Sequence, residues 1–385
     1  MIKDVFIVTS SRADFGLLKN LAEEIRDDKD LNLNIVVTGM HLCKLFGNTI
    51  NEVSELFKIS YKIDTLTTDN NLEDVTKSIG DGVIKFGKLF NKHRPDLVII
   101  LGDRYEILSV SIAALINKIP VAHIHGGEKT EGAFDDSIRH SISKMSHLHF
   151  VSHEEYRKRV IQLGENPKKV FNVGAIGLDS IKKMNLIKKN VLEELLSLKF
   201  NNKNLLVTFH PVTLDKHSSV IQIKTLLNAL VDLKDTSIII TSPNADPEGI
   251  DMIKIIEDFV GDNSNFYFYR NLGQLNYFSC IDVCDAVIGN SSSGIIEVAS
   301  FKKGTINIGD RQKGRLHNNN VINCEPNIRD IQSAIDKLYS DRFQKTLRSI
   351  TNPYGDGNSS KKIIKIIKNV NMNDIINKSF YDISF

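Results

Sequence analysis

The chain has 385 residues, with 49 Lys+Arg against 47 Asp+Glu, 11 His, 4 Cys and no Trp. Its 41% hydrophobic and 25% charged residues exclude a long disordered chain, a collagen-like fibre and a disulfide scaffold. The length suggests two or three domains, and the interleaving of the two charge signs speaks against a nucleic-acid partner.

The run Val5–Thr9 is continuously apolar and breaks into Ser10-Ser11-Arg12, with a helical pattern from Leu17 to Ile25. This predicts a buried strand, a polar turn and a helix. Leu33–Gly39 repeats the arrangement. A helix near Lys77–Asn91 leads to the strand Leu97–Leu101, the turn Gly102-Asp103-Arg104 and a helix at Glu106–Asn117. The strand Val121–His125 precedes Gly126-Gly127, and Phe134–Met145 reads as a helix before the strand His149–Val151. The series then restarts with the strand Asn204–Pro211, a helix at Ser219–Leu233, the strand Ser237–Thr241 and a helix at Pro247–Phe259. Short strands follow at Phe266–Phe268, Ala286–Gly289 and Thr305–Gly309, with a helical turn at Ile295–Ser300.

Strands alternating with helices predict an α/β fold of two Rossmann-like, doubly wound domains facing a cleft. The expected divisions are 1–175, 176–360 and a helical tail, 361–385, packing back on the first domain. The tail contains the one basic run, Lys361–Lys368, whose spacing fits an amphipathic helix better than a nucleic-acid patch. No apolar run reaches the roughly 18 residues of a membrane span. Met1-Ile2-Lys3-Asp4 runs directly into a strand, and the expectation is a cytoplasmic protein with reduced cysteines and no membrane partner. Cys280 and Cys284 lack a nearby His or Cys pair, so no zinc site is expected.

In such sheets ligands bind outside the carboxyl ends of the strands, and the unusual polar residues lie there. Ser10–Gly16 is not G-x-G-x-x-G, so the dinucleotide fingerprint is absent. It puts Arg12 at a helix amino end, either to meet a diphosphate or to pair with Asp14. Asp103 follows an apolar strand, as a reactive acid or as a helix cap. His123 and His125 alternate along one strand and are expected on one face, with Gly126-Gly127 admitting a ligand closely and Glu128 following. Ligand contact or acid/base work fits them better than a metal. Asp135 and Arg139 are helix neighbours; they form a routine pair, or they join Asp103 and Glu128 in a carboxylate cluster with at least one raised pKa. In the second half, His210 is fixed at a strand end by Pro211. Gly289–Gly294 reads as a phosphate cradle entering a helix, with Glu297 one turn on, and Arg311 closes the last strand. There is no P-loop lysine. These groups suit a nucleotide sugar and leave transferase and epimerase chemistry both open.

The segments Ser11–Asp14, Val37–His41, Leu101–Glu106, His123–Lys129, Asp136–Ile142, Phe209–Thr213, Ile288–Gly294 and Ile306–Gln312 together resemble the hydrolysing UDP-N-acetylglucosamine 2-epimerases, above all the bacterial enzymes of sialic-acid and related nonulosonate synthesis. The resemblance spans about residues 4–315. It implies the B-type glycosyltransferase architecture and elimination of UDP to a 2-acetamidoglucal, followed by hydration to N-acetylmannosamine. No cofactor is implied, and the partners are a UDP-sugar and a second copy of the chain. It also implies Asp103, Glu128, Asp135 and His210 as catalytic groups. Arg12, Arg104, His125, Arg139, Asn244, Ser291, Ser292, Glu297 and Arg311 would bind substrate, Glu297 at the ribose. Relatives carry a lysine five positions after the first-loop arginine; here that position is Leu17, with Lys19 nearest.

Overall fold

The structure, a computed structural model, describes residues 2–43, 49–65, 72–129, 134–212, 218–243 and 249–383. They form two compact units, one of residues 1–182 and 354–385, the other of 183–353. The divisions fall at 182/183 and 353/354 rather than at 175/176 and 360/361. Tyr354 and the residues after it pack with the first unit because Ala175 N donates to Tyr354 O at 2.6 Å.

The first unit runs β1 (Lys3–Thr9), α1 (Arg12–Arg26), β2 (Leu31–Thr38), α2 (Ile50–Ser54), β3 (Ile59–Ile63), α3 (Leu72–His93), β4 (Leu97–Leu101) and α4 (Tyr105–Ile116). It continues with β5 (Val121–Ile124), α5 (Phe134–Met145), β6 (Leu148–Val151), α6 (Glu154–Gln162), β7 (Val170–Asn172) and α7 (Leu178–Lys183). Its sheet is parallel, in the order β3-β2-β1-β4-β5-β6-β7. The apolar runs Phe6–Val8 and Val98–Ile100 are fully buried because helices cover both faces. The order in which strands are added reverses between β1 and β4, so the loops after those strands open a crevice at the carboxyl edge.

The second unit runs α8 (Lys189–Leu196), β8 (Lys203–Thr208), α9 (Ser219–Leu230), β9 (Thr236–Thr241), α10 (Gly249–Gly261), β10 (Phe266–Tyr269), α11 (Gly273–Val283) and β11 (Ala286–Gly289). Then come α12 (Ser292–Ile296), β12 (Gly304–Ile308), β13 (Val321–Cys324), α13 (Ile328–Leu338) and α14 (Asp341–Arg348). Its parallel sheet has the order β10-β9-β8-β11-β12-β13, with the switch between β8 and β11.

The basic run forms α15 (Ser359–Asn369), an amphipathic helix of the first unit. Ile363, Ile364 and Ile367 enter the same core as Leu18 and Ile25 of α1; full burial of each is worth about 1.5–3 kcal/mol. The basic face stays outside, where Lys368 Nζ meets Asp28 at 2.9 Å and Asp30 at 2.7 Å. No helix among the described residues is long and apolar enough to cross a membrane.

Candidate active site

The first βα turn is tighter than the sequence pattern suggests. Helix α1 begins at Arg12, five residues before the expected Leu17, because Ser11 and Asp14 form a capping box. Asp14 accepts from Thr9 Oγ1, from Ser10 N at 2.9 Å, from Ser10 Oγ at 2.8 Å and from Ser11 N at 3.1 Å. The alternative reading of Arg12, an ion pair with Asp14, is not what forms; Arg12 Nε reaches Glu52 at 3.0 Å, and both side chains are about half exposed. Leu17 packs against the core of the unit.

After β4, Asp103 pairs with Nη2 of Arg139. The same guanidinium donates through Nη1 to His125 O at 3.2 Å and lies 3.5 Å from Glu128 Oε2. Arg139 thus joins Asp103 and Glu128 across two strand-end segments, after β4 and after β5, and its reach to them replaces the routine pair with Asp135. Both Arg139 and Glu128 are buried, and Glu128 Oε1 also accepts from Ser152 Oγ at 2.9 Å. Breaking one partner out of such a buried set costs about 3–5 kcal/mol. Asp135, in the first turn of α5, has its carboxyl pushed above the usual range by burial and then by the charge of Asp103. Arg104 turns to Glu106, which is buried, through Nη2–Oε1 at 3.0 Å and Nε–Oε2 at 3.2 Å.

The two histidines do not share a face. Strand β5 ends at Ile124, and His125 takes a left-handed φ of 63°, which breaks the alternation. His123 is fully buried, with Nε2 2.7 Å from Gly102 O and Nδ1 3.1 Å from Ser143 Oγ. Gly102 O can only accept, so Nε2 carries the proton. Burial holds this imidazole neutral, with its pKa lowered to about 3. His125 Nε2 accepts from Ile176 N at 3.4 Å, so Nδ1 bears the hydrogen and faces Glu128 Oε1 at 3.3 Å. His123 supports the Gly102-Asp103 turn, and His125 supports Glu128. Nor does the glycine pair leave room for a ligand. Gly127 has φ 78°, and a Cβ there would strike Tyr156 O.

In the second unit the organising residue is Asn290, fully buried just beyond β11. Its Oδ1 accepts from His210 N at 2.7 Å and its Nδ2 donates to His210 O at 2.8 Å. Its own carbonyl accepts from Arg311 Nη1 at 3.1 Å and from Gln312 Nε2 at 2.8 Å. One side chain and one peptide group thereby tie together the ends of β8, β11 and β12. Burial, and then the charge of Arg311, lower the His210 pKa to about 4. Gly289 serves this close approach: its φ is 143°, and a Cβ would collide with Thr208 O.

Ser291 caps the five-residue α12, its side chain accepting from Ser293 N, and Ser292 is the first helical residue. Glu297 closes that helix, its carboxyl raised by burial and opposed by Arg315. Asn244 lies outside the described residues.

Reading the sequence alone misses Asn290 and Gln312 as organisers, Ser152 behind Glu128, Glu106 under Arg104, and Arg315. Asn290, Gln312 and Ser152 act through partners on another strand end. The Asn-Ser-Ser-Ser run carried the one local signal, an amide between an apolar strand and a helix cap.

The sequence model described as UDP-N-acetylglucosamine 2-epimerase matches residues 23–368. The chain is similar to GDP/UDP-N,N'-diacetylbacillosamine 2-epimerase (hydrolyzing) of Campylobacter jejuni subsp. jejuni serotype O:2, at 46% identity over 99% of each chain. It is 39% identical to polysialic acid biosynthesis protein P7 of Escherichia coli, over 99% of this chain and 98% of that one. It is 34% identical to UDP-N,N'-diacetylbacillosamine 2-epimerase (hydrolyzing) of Legionella pneumophila, over 98% and 99%. Among solved structures, S. aureus MnaA with UDP superposes over all of both chains with a TM-score of 0.78 at 17% identity, a likeness of fold.

Proposed function

The chain belongs to the UDP-N-acetylglucosamine 2-epimerase family, and from that premise we propose that it is a hydrolysing 2-epimerase acting on UDP-N,N'-diacetylbacillosamine, a diacetamido-trideoxy sugar nucleotide. The products are UDP and the free sugar inverted at C2. The observation that carries the acid/base reading is the cluster in which Arg139 joins Asp103 and Glu128 while the carboxyl of Asp135 is raised. A carboxyl raised by burial beside carboxylates that a guanidinium holds suits a proton-transfer reaction.

In this reading one carboxylate takes the C2 proton as the C1–O bond to UDP breaks, leaving a C1=C2 double bond. Water then supplies hydroxyl to C1 and a proton to C2 from the opposite face, so that substrate plus water gives epimer plus UDP. Asp103 and Glu128, held by Arg139, are the bases at hand. Asp135, whose raised pKa suits a proton carrier, passes a proton from water to the opposite face of C2, and the abstracted proton leaves with UDP or to solvent. The acetamido carbon is a weak acid, so relief of charge on the leaving group matters as much as the base. In the second unit His210 and Arg311 meet the departing diphosphate, and Ser291 and Ser292 add hydroxyl and backbone donors. Glu297 accepts from the ribose. Arg104 lines the sugar side, and His125 acts through Glu128.

The substrate assignment is supported by the 46% and 34% identities to two hydrolysing diacetylbacillosamine epimerases over nearly whole chains. A second reading, UDP-N-acetylglucosamine to N-acetylmannosamine, is favoured by the description of the family itself, UDP-N-acetylglucosamine 2-epimerase. A competition assay with equal concentrations of the two nucleotide sugars, in deuterated water and without any acceptor, separates them. We expect UDP release from the diacetamido sugar, with deuterium at C2 of the product. Preferential consumption of UDP-N-acetylglucosamine would favour the second reading, and release only with an added acceptor would replace both by glycosyl transfer.

A further inference from the structure

Helix α5 governs more of the acid cluster than its own Asp135. Arg139 reaches Asp103 and Glu128 from its second turn. Ser143, one turn further, holds Nδ1 of His123, whose Nε2 holds Gly102 O beside Asp103. The placement of all three acids therefore follows the position of α5 along its axis.

The carboxyl end of that helix is closed from far along the chain. Lys378 Nζ donates to Lys144 O at 2.7 Å, across 234 residues of sequence, and to Ser146 O at 2.5 Å. It also meets Glu165 Oε2 at 2.8 Å. Glu165 is buried and takes His149 Nε2 and Lys144 Nζ as well, each at 2.9 Å. The neighbouring residues, though largely exposed, touch the same place. Tyr381 N donates to Gly164 O at 3.0 Å, and the Phe380 ring fills the space where Gly164 has no side chain. Lys144 Nζ sits 4.6 Å from the centre of that ring. The last carbonyls of a helix have no partner within it and carry partial negative charge, so an ammonium there both satisfies and attracts them. Here the ammonium is anchored in turn by a buried carboxylate, which makes the cap rigid.

We propose that residues 378–381 form a strap that fixes α5 along its axis, and that Lys378 is a positioning residue for the acid cluster. The activity arm of this inference rests on the epimerase reading; the structural arm does not.

The test is Lys378→Met in the full chain, with Lys378→Arg as the conservative control. A misplacement of about 1 Å can cost about 100-fold in rate, so kcat should fall about 10- to 100-fold. KM and calorimetric UDP affinity should stay within about twofold, since the change touches orientation and not uniform binding. Amide hydrogen exchange in α5 should accelerate relative to β4, and the arginine variant should recover most of both losses. Wild-type kcat together with wild-type α5 exchange would overturn the strap, as would equal losses of kcat and UDP affinity. If the wild-type chain turns over neither sugar, the epimerase reading fails and hydrogen exchange alone decides the strap. Should the methionine variant not fold, Tyr381→Pro in the full chain, which removes the N–H that donates to Gly164 O, is measured instead. Faster α5 exchange supports the strap, and unchanged exchange overturns it.

Discussion

At the carboxyl edge of the first sheet, carboxylates are held by cations: Asp103 and Glu128 by Arg139, Glu106 by Arg104. At the same edge of the second sheet the groups are donors and a neutral imidazole, and a buried amide, Asn290, orients them through the backbone. Both edges arise from the same doubly wound topology, so the fold does not dictate which chemistry each will host. In the proposed reading the first edge moves protons, with the Asp135 carboxyl raised by burial and by Asp103 beside it. In the same reading the second edge receives an anion, through positive and donor groups. A variant at the first edge should alter turnover; one at the second should alter binding.

Asp103→Asn is the strongest test. General acid/base groups contribute about 10²–10⁴-fold, so UDP release should fall by about that factor while calorimetric UDP binding persists. Circular dichroism must show that the variant, which loses a partner of Arg139, is folded. Full activity would remove Asp103 from the catalytic set.

Arg311→Ala comes next. Hydrogen bonds to charged groups are worth about 1.5–3 kcal/mol, so UDP affinity should weaken by about 10- to 100-fold, with kcat at saturation changed little. A large fall in kcat at unchanged affinity would move Arg311 into the chemistry and blur the contrast between the edges.

A smaller effect is expected from pH. The His210 pKa is about 4 without ligand, against an ordinary 6.5, so the ring is neutral at pH 7. A diphosphate beside it favours the imidazolium and raises that pKa. UDP binding should then take up protons, and affinity should increase as pH falls through the raised value, levelling off near about 4. Calorimetry in two buffers of different ionisation enthalpy reads the uptake; its absence, or its survival in His210→Asn, would count against the assignment.

The smallest change belongs to Arg12→Ala. Its pair with Glu52 is exposed, and such pairs contribute about 0–1 kcal/mol to stability, so the melting temperature should barely move. Any loss of UDP affinity then reports on a diphosphate contact rather than on folding.

The central strands were legible because burial on both faces turns them into unbroken apolar runs: Val5–Val8, Leu97–Ile100 and Ala286–Ile288 are cases in point. Strand β3 was not, since Ile59–Ile63 lies at a sheet edge and is only partly buried. The position of the acids was legible, because strand ends are fixed by sequence. Their partners were not. Arg139 could have turned to Asp135 four residues away or to Asp103 thirty-six away, and only the folded sheet brings the second within reach. The histidine pair misled for a local reason. Alternation holds within a strand, and one residue past its end His125 takes the left-handed conformation. Glu165 and Lys378 had no signal at all, being single charges far apart in the chain.

The path of the chain through the two units also bears on how the protein is made. Unit two is a single uninterrupted stretch, complete once Pro353 has been synthesised. Unit one has all seven of its strands by Asn172, yet its core still lacks Ile363, Ile364, Ile367, Met372 and Ile375. Until those emerge, the outer face of α1 stays uncovered on a sheet that is otherwise assembled. The half that begins synthesis first is the last to mature, and during that interval the nascent chain presents an apolar helix face of the kind that chaperones shield.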